Sequence, residues 1–402
     1  MTAEITTEEL QNDHDYILPV YVKPDFVIER GEGAYLFDTK GRRYLDYTSG
    51  IAVNALGYGD PEVSQVIAEQ ATKLIHISNL YHNGPAGTLA RLLIERSPAF
   101  AKVFFSNSGA EAIEGALKFA RRYARDHFGE GKTNIIAFDG SFHGRTMGAV
   151  AVTAREKYRD PFMPVMPGVR FAGYNDIASL EVAMADDVCA ILIEPIQGEG
   201  GLRTADTAFL KAARDLCDRY GALLIFDEIQ CGMGRTGSFW AHETSGVAPD
   251  ILTVAKPLAG GLPIGAILMS QAVADTIHAG DHGTTFGGNP LVTAVGSVVV
   301  RRIGDPAFLS HVREVADYLD ESLQDLAATH PGRILELRGR GLMRGIRVNG
   351  SAAAVREAAL EHGLLVVTAG EDVLRLLPPL IIEQQQVDEA IAILQRALGV
   401  LA

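Results

Sequence analysis

From about residue 100 to 270, short apolar runs alternate with helical patterns, and this alternation restricts the possible folds more than any other feature of the chain. Runs of this kind are buried on both faces, which argues for a mostly parallel sheet covered by helices. The strand candidates are Lys102–Ser106, Asn134–Phe138, Val188–Glu194, Ala222–Asp227, Asp250–Ala255 and Gly265–Met269. Between the third and fourth, Phe209, Ala213, Leu216, Cys217 and Tyr220 share one face of a helix over Thr207–Tyr220, and Gly221 supplies its stop. Only Lys256–Ile264 separates the last two candidates, too little for a crossover helix, so the final strand is expected to run antiparallel.

Outside this block the pattern changes. Extended runs around Phe26–Glu29, Ala34–Phe37 and Arg43–Tyr47, with a turn at Thr39–Gly41, read as a hairpin. After Asn289 a long helical stretch leads to Arg333–Val348, Ala352–His362, Leu364–Val367, Val373–Leu377 and a last helix near Gln386–Leu398. The two ends together suggest one smaller α+β lobe, which divides the chain into 1–48, 49–300 and 301–402. There is no repeat of fixed period and no low-complexity linker.

Composition enters by exclusion. With 47% hydrophobic and 21% charged residues, the chain can bury a core and is not a disordered segment. With 36 basic against 50 acidic side chains, the net charge of −14 disfavours a general nucleic-acid binder, and no Lys/Arg run offsets it. Three cysteines make no disulfide framework, which points to a reduced, cytoplasmic compartment. Met1–Leu10 holds three Glu and no basic residue, unlike a signal or transit peptide. Pro257–Ala274 carries no charge, but its two prolines and three glycines would break a spanning helix, so no membrane association is expected.

Three segments carry chemistry. In FFSNSGAEAIEGALKF (104–119) an apolar strand runs into Ser108, Gly109 and Ala110, and Ser108 with Glu111 has the capping-box spacing. A small-residue helix start offers free N–H groups to an anion, although an ordinary capped helix looks the same. In LLIFDEIQCGMGRTG (223–237) a buried strand ends at Asp227, where open α/β sheets bind ligands; capping a turn is the plainer role. Gly232, Gly234 and Gly237 match the dinucleotide fingerprint, but no amphipathic helix opens at the third glycine, so that reading is rejected. In DILTVAKPLAGGLPIGA (250–266) Lys256 ends a strand before a proline that keeps it extended, and it is the only charge between Asp250 and Asp275. Such a lysine could snorkel outward, or desolvation could lower its pKa as a Schiff-base nucleophile requires.

Taken together, these segments resemble the class III, ornithine-type, pyridoxal-phosphate aminotransferases, from ERGEGAYLFDTKGRRYLDYTSGIAVNALGYGDPEV to LRLLPPLII. The resemblance is strongest to members acting on acetylornithine and related acylated precursors. It implies an α/β protein of fold type I, with a mostly parallel seven-stranded sheet in a large domain and a smaller α+β domain built from both chain ends. It implies pyridoxal 5'-phosphate as cofactor, with Lys256 as Schiff-base lysine and proton shuttle and Asp227 on the pyridinium nitrogen. Ser108, Gly109 and Ala110 would hold the phosphate, Phe142 and Ile229 the ring faces, and Gln230 the ring oxygen. Thr285 would reach the neighbouring subunit's phosphate, implying a homodimer with shared active sites.

For substrate, the resemblance implies that Arg145 clamps the α-carboxylate, while Arg375 binds the α-carboxylate of glutamate or 2-oxoglutarate and pairs with Glu199 when the other substrate is bound. Glu194 reads as a structural hydrogen-bonding residue and His143 as a pocket wall. Gly50 stands where ornithine aminotransferases carry a tyrosine, leaving room for an acylated amine; Tyr21 and Asn79 are further pocket candidates. The expected reaction therefore moves the terminal amino group of N2-acetylornithine to 2-oxoglutarate. Succinylornithine, a lysine-pathway semialdehyde, free ornithine and 4-aminobutyrate stay open as substrates. So do an aminomutase or decarboxylase on the same scaffold and a non-catalytic relative. Departures from relatives are Cys231 in place of threonine, and Pro257 and Ala259 in the run after the lysine. His278, Asp281 and His282 fit a solvated loop better than a metal site, and no metal is expected.

Overall fold

The structure is a computed structural model that describes residues 8–401, so the first seven residues of the acidic stretch Met1–Leu10 lie outside the described part. The N-terminal region forms a three-stranded meander, β1 (Ile28–Glu32), β2 (Tyr35–Asp38) and β3 (Arg43–Asp46), rather than a single hairpin. The turn between β2 and β3 passes through Gly41 at φ +79°, a left-handed conformation that glycine adopts without a Cβ clash.

The central sheet holds β4 (Lys102–Ser106), β5 (Asn134–Phe138), β6 (Val169–Ala172), β7 (Val188–Ile193), β8 (Leu223–Asp227), β9 (Ile251–Val254) and β10 (Gly265–Met269), in the spatial order β4-β10-β9-β8-β7-β5-β6. Six strands are parallel, and β10 pairs antiparallel with both β4 and β9, as the short connection before it predicts. The strand missing from the sequence reading is β6, a four-residue edge strand with one buried residue. An apolar pattern that short, buried on one side only, does not stand out from loop. By contrast every residue of β7 and β8 is buried, because helices cover both faces.

The helix Gly109–Phe128 packs Ile113, Ala116, Leu117 and Ala120 against one face. On the other lies Thr207–Tyr220, closed by Gly221 in the left-handed conformation at φ +62°. The C-terminal part forms β11 (Ile334–Arg340), β12 (Met343–Val348), β13 (Leu364–Leu365), β14 (Val367–Thr368) and β15 (Val373–Leu376). Of these, β13 joins the N-terminal meander by pairing parallel with β3, so the two chain ends share a sheet. The remaining four form a sheet in the order β11-β12-β15-β14. One apolar cluster runs from Leu252, Val254 and Leu268 of the central sheet to Leu374, Leu376 and Leu394, fastening the C-terminal sheet close to the carboxyl ends of the central strands.

Candidate active site

Five central strands deliver residues to one place at their carboxyl ends. Ser108 follows β4, Phe142 and His143 follow β5, Glu194 follows β7, Asp227 ends β8 and Lys256 lies two residues beyond β9. They surround a cavity of about 280 Å³ lined by Gly109, Ala110, Phe142, His143, Gly144, Arg145, Glu194, Glu199, Asp227, Ile229, Gln230 and Lys256. In an open α/β sheet this is where connecting loops diverge and leave a crevice.

Ser108 caps the helix Gly109–Phe128, its hydroxyl accepting from the Glu111 amide at 3.2 Å. Glu111 does not close the box on Ser108. Its carboxylate instead accepts from the amide and side chain of Asn107, at 2.7 and 2.9 Å. As the first two residues of the helix, Gly109 and Ala110 have no carbonyl one turn earlier to meet their N–H groups. The glycine keeps this helix start close to Ile229: a Cβ on Gly109 would lie 3.0 Å from the Ile229 side chain, which would have to give way.

Asp227 is buried and held on both oxygens. Oδ1 accepts from the Ile229 amide at 3.0 Å, and Oδ2 lies 2.7 Å from Nδ1 of His143. The His143 side chain is fully buried, its backbone amide donates to Thr153 Oγ1 at 3.0 Å, and its Nε2 has no hydrogen-bond partner among the described residues. The histidine read as a pocket wall is thus the direct partner of the site carboxylate. Glu194 accepts from the amides of Phe142 and Gly198, at 2.9 and 3.0 Å, in the bonding role expected for it. Burial, opposed by His143, pushes its carboxyl up to about 7.

Lys256 departs from the extended conformation expected before a proline. It begins a 3-10 turn, Lys256–Ala259, in which the Leu258 amide donates to the Ala255 carbonyl at 2.7 Å and Pro257 takes a helix-start position where its missing N–H costs nothing. Burial and then Arg375 lower its amine to about 8, while Glu199, Asp227 and Glu194 oppose the shift.

Arg375 enters from β15 and is 2% exposed. Its Nη1 donates to the Gly198 carbonyl at 3.0 Å and to Gln230 Oε1 at 3.2 Å, and lies 2.7 Å from Glu199 Oε1. Arg145 is exposed at the mouth, and no carboxylate pairs with it among the described residues; its guanidinium carbon sits 3.5 Å from the centre of the Tyr158 ring.

Ser108 and Arg375 adjoin this cavity without lining it, and Thr285, Gly50, Tyr21 and Asn79 do not line it. Thr285 lines a separate cleft of about 470 Å³ with Asn107, Glu111, His282 and Phe286. Gly50 lies in an exposed left-handed turn at φ +64°, and Tyr21 is 76% exposed. Asn79 donates to the carbonyls of Thr284 and Gly287, which ties it to the Thr285 loop. His282 packs its ring between Phe104 and Phe119, with Nδ1 2.9 Å from Lys118 Nζ. The rejected dinucleotide glycines serve packing: a Cβ on Gly234 would meet Ile303 and one on Gly237 would meet Arg313.

These donors fit pyridoxal phosphate group by group. The unpaired helix amides suit its phosphate, the doubly held carboxylate its ring nitrogen, the side chains of Phe142 and Ile229 its flat ring, and a low-pKa lysine its aldehyde. A strand-end lysine and carboxylate on a mostly parallel seven-stranded sheet define a pyridoxal-phosphate-dependent enzyme of fold type I.

Within that class, the chain belongs to the class III aminotransferases, whose family model matches residues 18–398. It is 45% identical over 395 residues to the mitochondrial acetylornithine aminotransferase of Yarrowia lipolytica, covering 97% of this chain and 95% of the relative. It is 46% identical over 401 residues to the succinylornithine transaminase of Yersinia enterocolitica, covering 97% and 96%. The crystal structure of N-acetylornithine aminotransferase from Stenotrophomonas maltophilia superposes with a TM-score of 0.84 at 39% identity, covering 97% and 98%. The protein is therefore a pyridoxal-phosphate-dependent transaminase.

Proposed function

We propose that the chain moves the terminal amino group of N2-acetylornithine to 2-oxoglutarate, yielding N-acetylglutamate 5-semialdehyde and glutamate, a step of arginine biosynthesis. One observation carries this reading. Beside Lys256, Arg375 is neutralised by Glu199 at 2.7 Å while Arg145 has no carboxylate partner among the described residues. N2-acetylornithine brings a single carboxylate and needs one free arginine; 2-oxoglutarate brings two and needs both, which requires Glu199 to release Arg375.

Pyridoxal phosphate, when bound, supplies the electron sink for exchanging an amine with a carbonyl. Lys256 Nζ holds the cofactor and carries the proton to and from the reacting carbon, Asp227 keeps the proton on the ring nitrogen, and the amides after Ser108 hold the phosphate. Phe142 and Ile229 exclude water from the ring faces, and Gln230 reaches the ring oxygen. Gly50 and Tyr21, which do not line the cavity of a single chain, are assigned to the substrate mouth only by the family resemblance, and Thr285 to contact with the neighbouring subunit in a homodimer. The exposed Leu80, Tyr81 and Phe286 near that loop support an apolar face between subunits. Sedimentation at micromolar concentration tests the dimer. The three free, buried cysteines support a reduced cytoplasmic setting, which cell fractionation tests. The division into 1–48, 49–300 and 301–402 is part of the same reading, supported by the pairing of β3 with β13.

Succinylornithine is the second reading, favoured by the 46% identity to a succinylornithine transaminase. A panel of acetylornithine, succinylornithine, ornithine and 4-aminobutyrate with 2-oxoglutarate decides between them. Acetylornithine is expected to give the highest kcat/KM; free ornithine outperforming it would overturn the acyl-donor assignment.

A further inference from the structure

With no carboxylate beside it among the described residues, Arg145 rests on aromatic rings. Its guanidinium carbon lies 3.5 Å from the Tyr158 centroid and 5.6 Å from that of Phe142. The two rings meet edge to face, with centroids 6.1 Å apart and planes at 83°. Tyr158 belongs to a one-turn helix, Glu156–Arg159, that no sequence motif singles out. Its amide donates to the Arg155 carbonyl at 2.9 Å, Arg155 in turn donates to the Glu199 carbonyl, and Arg159 stacks over Phe171 at 5.1 Å. The turn is thus fastened at both ends, so its ring is presented at the cavity mouth by a fixed backbone. Lys157 Nζ, 4.9 Å from the same ring, adds positive charge there.

A ring face suits a guanidinium that must stay available. The π-electrons attract the cation without using its N–H edge, which remains free to fork onto a planar carboxylate. A carboxylate in the place of the ring would occupy that fork, and water alone would leave a long side chain free among its rotamers. We propose that Tyr158 is a positioning residue for donor selection: by stacking under Arg145 it holds the guanidinium ready for the donor's carboxylate and ties that clamp to Phe142. The inference rests on the proposed function only in taking Arg145 as the group that meets the carboxylate.

The test compares N-acetylornithine with N-acetylputrescine, the same molecule without its carboxylate, on the holoenzyme. Tyr158→Leu should raise KM for N-acetylornithine about two- to fivefold, the range expected for an exposed cation–π contact, with kcat little changed. The same variant should leave kcat/KM for N-acetylputrescine where it was. Tyr158→Phe, which keeps the ring, should restore the N-acetylornithine KM. Tyr158→Gln provides a second ring-free variant should the leucine protein fold poorly. Arg145→Ala separates the two levels of the argument. If it loses carboxylate discrimination while the ring-free variants keep it, the Tyr158 inference is wrong and the Arg145 assignment stands. If Arg145→Ala also keeps discrimination, the Arg145 assignment fails and the inference with it. Equal losses on both donors in the ring-free variants would show a merely structural ring and overturn the proposal.

Discussion

Glu199 Oε1 and Arg375 Nη1 lie 2.7 Å apart, joining the loop after a central strand to a strand of the C-terminal sheet. The arginine is 2% exposed and the glutamate side chain 22% exposed, so the carboxylate is the partner with room to move. Opening this pair would free the Arg375 guanidinium without moving a buried strand.

Replacing Glu199 with Gln leaves Arg375 charged and bonded only to neutral oxygens, so the site should behave as if permanently set for a dicarboxylate. Hydrogen bonds to charged groups are worth about 1.5–3 kcal/mol, so kcat/KM for the terminal-amine donor should fall about tenfold or more. The glutamate half-reaction should hold or improve. Stopped-flow absorbance of each half-reaction gives the ratio, and equal losses in both would argue against a switching role.

The Lys256 amine, lowered to about 8 from its usual 10.5, sets a pH dependence. Below about pH 8 it is protonated and not nucleophilic. Capture of pyridoxal phosphate by the cofactor-free protein should therefore speed up about tenfold per pH unit before levelling above that value. Stability follows the same sign. Between the native and unfolded values the unfolded chain binds more protons, so the lysine's contribution is fully present above the unfolded value and is lost as pH falls through about 8. In Lys256→Gln, covalent capture should vanish and this segment of the stability profile should flatten.

His143→Leu removes the 2.7 Å partner of Asp227 Oδ2 and leaves a buried acceptor unpaired. Such a loss costs about 1–3 kcal/mol, readable as a lower urea midpoint, and cofactor affinity should fall as the carboxylate loses its fixed orientation. His143→Asn, which can still donate, should recover part of both. An unchanged midpoint and affinity in the leucine variant would mean that the contact holds nothing in place.

Gly265→Ala is a remote test of the phosphate cup. On β10, a Cβ at this residue would come within 2.3 Å of the Ser108 carbonyl and 2.5 Å of Ser106 Oγ, so backbone has to shift. Overpacking of this kind costs about 1–3 kcal/mol, and cofactor should dissociate more readily in a spectral titration. Gly87→Ala, with nothing within 4 Å, is the control and should leave cofactor affinity unchanged.

Much of the central sheet was legible because its interior strands are buried on both faces and read as unbroken apolar runs, while the half-exposed edge strand Lys102–Ser106 is marked by the consecutive Val103, Phe104 and Phe105. Lys102–Ser106, Asn134–Phe138 and Gly265–Met269 stand where the pattern puts them, and the short segment before Gly265 was enough to reverse the last strand. The edge strand Val169–Ala172 escaped because a half-exposed tetrapeptide has no such signature. The proline after Lys256 was a misleading cue. It was read as holding the lysine extended, whereas it takes a helix-start position in a 3-10 turn.

The site divides along the same line. Ser108, Asp227 and Lys256 could be read from the chain because each sits where a local pattern stops, at a strand end or a helix start. Local physics of periodicity, caps and breakers acts over a few residues and is written directly in their order. What only tertiary structure decided is which of these ends face one another. His143 meets Asp227, Arg375 arrives from another sheet to meet Glu199 and Gln230, and Tyr158 lies beneath Arg145. No periodicity links such pairs. They come together because burying one apolar cluster across the central and C-terminal sheets fixes the strand ends and the C-terminal sheet around the same cavity.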